Sequence, residues 1–146
     1  MKTEIEIPEG YEIDQLTFKK IEKKLPKTWE ELGTVKGYYI DNDSVIEEEK
    51  NGNALDFNKN IFPTKELAEA SLAMAQLLQL RDAYNDGWVA DWSEKTNKFV
   101  IEVCRNEFST DFYSHMQHVM NFKTAKLRDL FFENFNDLLE TAKPLL

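Results

Sequence analysis

Cysteine is almost missing from this chain. Cys104 is the only one in 146 residues, so no intrachain disulfide can form and no cysteine-based zinc site can close. Histidine is nearly as scarce, with His115 and His118 the only two. No apolar run of about 18 residues occurs, so the pattern contains no membrane-spanning helix. The opening Met1–Ile7 lacks the apolar core of a signal peptide. The expected address is therefore the cytoplasm, or a viral particle assembled there, although a chain whose signal had been removed would read the same. A Gly-rich phosphate loop, a G-x-S-x-G elbow and a zincin pattern are all missing. No catalytic residue, metal or cofactor is assigned, and the reading leans away from an enzyme. Basic residues are in deficit, 18 Lys+Arg against 27 Asp+Glu, for a net charge of −9. That balance argues against direct binding to nucleic acid or an anionic membrane and leaves a basic protein partner open. Its ordinary meaning is a solvated surface.

What is present is a globular composition, 42% apolar and 31% charged, over a length that predicts one domain. A chain this long buries about 68–70% of its unfolded surface and needs no staple. The central stretch is Thr64 to Asp86. Thr64 is placed to cap a helix, Gly87 to end it, and strong helix formers fill the interval. At roughly 100° per residue, Leu67, Ala70, Met74, Leu77, Leu78 and Tyr84 share a face. Ala68, Leu72, Ala73, Ala75 and Leu80 cover most of the rest, leaving Lys65, Glu69 and Gln76 as a narrow polar stripe. Such a helix needs cover on several sides, from the C-terminal helix, the N-terminal segment or a second copy of the chain. Intrachain cover is expected, with Leu72 and Leu80 the members most open to an oligomer contact.

Ahead of this helix, Lys2–Ile13 predicts an edge strand or arm broken by Pro8 and Gly10. Leu16–Ile21 predicts a second short strand, with a helix through Lys24 as the competing reading, so residues 1–24 form an arm or edge strands of the domain. Lys19, Lys20, Lys23, Lys24 and Lys27 make the one basic run. Thr28 and Glu31 have capping-box spacing, predicting one turn of helix with Trp29 and Leu32 toward the core. Val35–Ile40, the turn Asp41–Ser44 and Val45-Ile46 predict a hairpin, and residues 47–60 a long loop. After the helix, Lys98–Cys104 alternates with Phe99, Ile101 and Val103 on one side. Arg105-Asn106-Glu107 predicts a turn, Phe108–Phe112 a partner strand, and Gln117–Phe122 a third strand with His118, Met120 and Phe122 together. The final predicted helix, Thr124 to Ala142, has Leu127, Phe131, Phe135, Leu138 and Ala142 as its apolar stripe and Lys126, Asp129, Glu133, Asp137 and Glu140 opposite. A faint echo links the two helix entries. Asn60-Ile61-Phe62-Pro63-Thr64 and Asn121-Phe122-Lys123-Thr124 each place Phe two residues before a capping Thr.

Four motifs invite chemistry. Asp41-Asn42-Asp43-Ser44 opens like a calcium loop, but Val45, Ile46 and Gly52 occupy positions that need an oxygen ligand, Gly and Glu, so it reads as a turn. His115 and His118 lie where period two sends them to opposite faces, and no third ligand is near. Cys104 has no base beside it and reads as an inert, partly buried thiol. Tyr84, Trp88, Asp91 and Trp92 are the strongest cluster, because indoles stack on a sugar or other ring while a carboxylate binds its polar edge. The bland alternative has Trp88 plugging the helix end and Asp91 capping a turn.

The stretches Leu25–Ser44, Asn60–Trp92 and Asn121–Leu146 resemble a group of uncharacterised proteins from gut bacteria and the prophages or phages they carry. This resemblance spans most of the chain. It implies a mobile-element origin and no functional residue.

Together these features predict an α+β fold. Its antiparallel sheet, a hairpin plus a three-stranded meander from residues 34–49 and 98–122, carries two long helices packed against it. The expected function is that of a non-enzymatic accessory or structural protein of a phage-like element, acting by contact with a protein partner. Two alternatives remain: a sugar-like ligand module at Tyr84, Trp88, Asp91 and Trp92, and an acidic inhibitor that imitates nucleic acid through Asp129, Glu133, Asp137 and Glu140. A homo-oligomer is compatible with each.

Overall fold

A computed structural model describes residues 7–14, 17–20, 25–29, 31, 36–49 and 61–146. The chain divides into two compact units, residues 1–33 and 34–146. In the first, β1 (Tyr11–Asp14) and β2 (Thr17–Lys20) pair antiparallel from Tyr11↔Lys20 to Asp14↔Thr17. The strand starts only after Pro8 and Gly10, and Ile7 ahead of it is exposed. Of the two readings for the second segment, residues 17–20 take the strand; 21–24 lie outside the described residues. The Thr28–Glu31 spacing works as a cap, with Glu31 N–H donating to Thr28 Oγ1 at 3.3 Å and Lys27 N–H to Glu31 Oε2 at 3.0 Å. Trp29 nevertheless departs from expectation, at 57% exposure. Residues 25–28 before it are exposed as well. Leu32 lies outside the described residues.

The second unit contains β3 (Gly37–Ile40), β4 (Ile46–Glu49), α1 (Lys65–Asn85), β5 (Lys98–Cys104), β6 (Glu107–Tyr113), β7 (Asn121–Phe122), α2 (Ala125–Asn134) and α3 (Asn136–Ala142). The class is α+β, with antiparallel pairing throughout. The β3–β4 turn is built by Asp41, whose Oδ1 accepts from the N–H groups of Asp43 (2.9 Å) and Val45 (2.8 Å). β4 runs on into the stretch expected to be loop, because Tyr39 Oη donates to Glu47 Oε2 across the pair at 2.5 Å and Glu49 is buried. The expected loop at 50–60 lies outside the described residues. Phe62 then bridges to Tyr38 through reciprocal backbone bonds of 2.9 and 2.7 Å. This close approach requires Gly37, where a Cβ would lie 2.1 Å from the Phe62 carbonyl oxygen.

The three-stranded sheet is ordered β6-β5-β7, so the third strand returns beside the first and is no meander. β5 is the most apolar of the three and takes the centre, with Val100 and Ile101 both buried, while β6 carries Glu107 and Asp111 on the edge. The β5–β6 turn places Arg105 and Asn106 at φ 53 and 65, the pattern of a two-residue type I′ hairpin. β7 is only two residues long. Residues 114–120 are not strand, which lets His118 part from Met120 and Phe122. The latter two enter the core with Ala73, Leu77, Ile101, Phe131, Leu139 and Ala142.

α1 forms as read, with Thr64 Oγ1 accepting from Leu67 N–H at 3.2 Å. It packs against α2, α3, the β3–β4 hairpin and β7, so its cover comes from within the chain. Ala68, Ala70, Ala73 and Leu77 are buried and Met74 only half so. Ala75 faces outward with Gln76 and Gln79. The expected second long helix is broken at Phe135 (φ −124, ψ 25) into α2 and α3. The break lets Phe131 and Phe135 both meet the Tyr84 ring, at 5.2 and 5.6 Å. It also shifts the phase, so Leu139 rather than Leu138 is fully buried and Phe135 is half-buried. Among the described residues no helix is long and apolar enough to cross a membrane.

Candidate functional site

The C-terminal end of α1 builds a concavity in the second unit. Asp86 (φ 49) and Gly87 (φ 74) are successive left-handed residues, and the chain turns back with Trp88 N–H on the Asn85 carbonyl at 3.0 Å. Trp88 and Val89 are thereby folded beside the helix they follow. The result is a cleft of about 270 Å³ lined by Arg81, Asp82 and Asn85 of α1, residues 87–90 and Trp92 of the connector, and Asn121 of β7.

Its polar wall is fixed from behind. Arg81 donates from Nη1 to the Val119 carbonyl at 2.6 Å and from Nε and Nη2 to Asp82 Oδ1 at 3.1 and 2.6 Å. Asn85, 3% exposed, donates from Nδ2 to the Asn121 carbonyl at 2.9 Å and accepts from Lys123 N–H at 3.1 Å. Asn121 donates to the His118 carbonyl at 2.7 Å. These bonds leave Asp82 Oδ2 and both indole N–H groups without a hydrogen bond among the described residues. Lys98, only 1% exposed, lies under the connector with Nζ donating to the Glu94 carbonyl at 2.7 Å and standing 5.5 Å from the Trp92 ring centroid.

Of the four residues expected to act together, Trp88 and Trp92 both line the cleft and two do not. Tyr84 turns away into the core, where its Oη accepts from Asn134 Nδ2 at 2.8 Å. Asp91 caps the turn at Ser93, accepting from its N–H at 2.8 Å and its Oγ at 2.6 Å. Those bonds, the side-chain one first, hold its carboxyl below the ordinary value. The acid that does line the cleft is Asp82, which sequence reasoning missed along with Arg81, Asn85, Asn121 and Lys98. The only available signal was the polar run at the C-terminal end of the helix.

The acidic row is exposed at Asp129, Glu133, Asp137 and Glu140, but it is not a uniform anionic face. Asp129 pairs with Arg128 at 2.7 Å and Glu140 with Lys143 at 3.2 Å, while Glu133 and Asp137 fall on either side of the helix break. The histidines are also separated in role. His115 is exposed beside Ser114 Oγ. His118 stacks on Tyr113 with ring centroids 4.7 Å apart, its Nδ1 3.7 Å from Glu102 Oε2. Glu102 Oε1 accepts from Ser109 Oγ and Tyr113 Oη, both at 3.2 Å, and burial followed by this bond raises the Tyr113 phenol above its ordinary value. Cys104 is exposed rather than partly buried, because it ends β5 at the hairpin turn. A second, more open groove of about 380 Å³ lies between α1 and α3, lined by Gln76, Gln79, Leu80, Phe135 and Leu138. It offers no charged group.

Comparison with protein-family models, with curated proteins and with solved structures finds no match for this chain.

Proposed function

We propose that this protein is a non-enzymatic binding module that takes a neutral, sugar-like ring between Trp88 and Trp92. One observation carries the reading: the two indoles share a cleft of about 270 Å³ with the fixed polar groups of Arg81, Asp82, Asn85 and Asn121. Ligand sites typically combine an apolar or aromatic wall with a few placed polar groups over about 300–1,000 Å³, so this cleft suits one ring rather than a larger molecule. The indole faces supply apolar contact to the C–H face of a sugar, and their N–H groups with Asp82 Oδ2 supply a donor and acceptor edge. At about 0.3 kcal/mol for each of roughly a dozen non-hydrogen atoms, affinity is of millimolar order.

A panel of methyl glycosides titrated against intrinsic tryptophan fluorescence tests this. Saturable binding by at least one member is expected, weakened about tenfold by Trp88→Ala or Trp92→Ala, as loss of one stacking face implies. A panel that gives no saturable response overturns it.

Action by protein contact keeps one observation of its own. Val89 (83%), Val119 (51%) and Met116 (47%) are exposed apolar side chains, and the first lines the cleft. The resemblance to mobile-element proteins supports an accessory role for such a contact, and co-purification that fails on Val89→Asp would favour it.

A further inference from the structure

Two indoles lining one cleft can receive either a sugar ring or a cation, since the face of an aromatic ring attracts positive charge. The residue beneath Trp92 distinguishes these guests. Lys98 is almost wholly buried, and its ammonium is held by the Glu94 carbonyl at 2.7 Å, facing the Trp92 ring at 5.5 Å. Among the described residues no carboxylate lies within ion-pair distance of it. Nearby, the Asp91 carboxylate is bonded to Ser93 and held lower, to a smaller degree, by the Lys98 charge, and the Arg81 guanidinium in the cleft wall is paired with Asp82. Trp92 therefore already has a cation against one face.

We infer that Lys98 is a specificity-determining residue that turns cations away from the outer Trp92 face and reserves that face for neutral or anionic rings. This rests on the proposed ligand reading and adds the sign of charge that the ligand cannot carry. A cation on the outer face would sit about 10 Å from the Lys98 nitrogen, and at an effective dielectric of about 20 the repulsion weakens its binding roughly tenfold. A neutral sugar ring meets no such penalty. A pair of tryptophans backed by apolar side chains would show the opposite preference.

The charge at Trp92 can be read without knowing the ligand. In a Trp29→Phe, Trp88→Phe background, fluorescence reports Trp92 alone, and its collisional quenching by iodide and by caesium is compared with that of free N-acetyl-tryptophanamide at equal ionic strength. On a chain of net charge −9, a tryptophan with no local cation favours caesium. The inference expects the reverse, an iodide-to-caesium ratio above that of the free indole. Lys98→Met, which keeps the apolar stem, should lower the ratio by about twofold or more, with circular dichroism confirming the fold. A starting ratio at or below the free value overturns the inference even if Lys98→Met does not fold, and so does an unchanged ratio in folded Lys98→Met protein. Tetramethylammonium should leave the wild-type emission unchanged, and a saturable response to it overturns the inference as well. Glycoside binding with an indifferent quenching ratio removes only this inference. A high ratio without glycoside binding removes only the ligand reading.

Discussion

The second unit contains the same device twice. In the first copy, the hairpin β3–β4 is followed by Phe62, which bridges back to Tyr38; in the second, the hairpin β5–β6 is followed by β7, whose Phe122 pairs with Phe99. Each bridge joins the second residue of the leading strand, and each is followed two residues later by a capping Thr. Thr64 and Thr124 have nearly the same backbone, φ −133, ψ 156 and φ −138, ψ 154, and each accepts an N–H three residues on at 3.2 Å. The copies differ in what they bury. The second has seven-residue strands and places Phe122 in the core at 0% exposure, whereas the first has four-residue strands and leaves Phe62 half-buried. Equivalent geometry thus does two jobs: the second copy supplies the core, and the first positions α1 against it.

Truncating the two bridging aromatics should separate those jobs most sharply. Phe122→Ala should cost about 3–5 kcal/mol in chemical denaturation, as buried aromatic truncations do, and Phe62→Ala clearly less. Equal costs would show that the first bridge is as much core as the second. The leading positions of the two strands come next. Gly37→Ala sets a Cβ against the Phe62 carbonyl oxygen and should cost about 1–3 kcal/mol, the usual range for overpacking; a neutral result would mean that the bridge is free to open. The smallest effect belongs to the caps. Thr64→Ala and Thr124→Ala should each cost about 1 kcal/mol near neutral pH.

Acid should then tell the caps apart. Of the two Thr-capped helices, α1 alone has an acid in its first turn, Glu66, whose carboxyl is held below its ordinary 4.5 by its own backbone N–H and then by Thr64. A depressed folded-state value means stability that is present above 4.5 and lost as pH falls through the depressed value. The destabilisation caused by Glu66→Gln should therefore shrink as pH falls below 4.5. A pH-independent difference would remove the carboxylate from the cap.

Helices, hairpins and caps were legible because each is written in a few neighbouring residues: Thr64 with Gly87, Thr124, and the alternation of Phe99, Ile101 and Val103. The break at Phe135 was not, since no Pro or Gly marks it and the ring that Phe135 meets there, Tyr84, is distant in sequence. Trp88 and Trp92 were visible as candidates because aromatic residues are dense there. Their partners were not visible, because Asn121 reaches the cleft only through the pairing of β7 with β5, and Asp82 only because two left-handed residues fold the connector back. Asp91 and Tyr84 were chosen for proximity along the chain, and in space each is committed to another bond.

Asn85 has a consequence for how this protein survives at high concentration. Its amide takes the Asn121 carbonyl and the Lys123 N–H, the two backbone groups that an added strand would seek along the outer side of β7. On the opposite border of the sheet, Asp111 Oδ1 holds the outward-facing Phe112 N–H at 2.7 Å. Side chains thus cover backbone groups on both sides of a three-stranded sheet that would otherwise be an open template for self-association. Two residues, Asn85 from the helix and Asp111 on the edge strand, blunt the two borders against strand addition. The vulnerable moment is during folding, before α1 docks and while the β7 border is still bare.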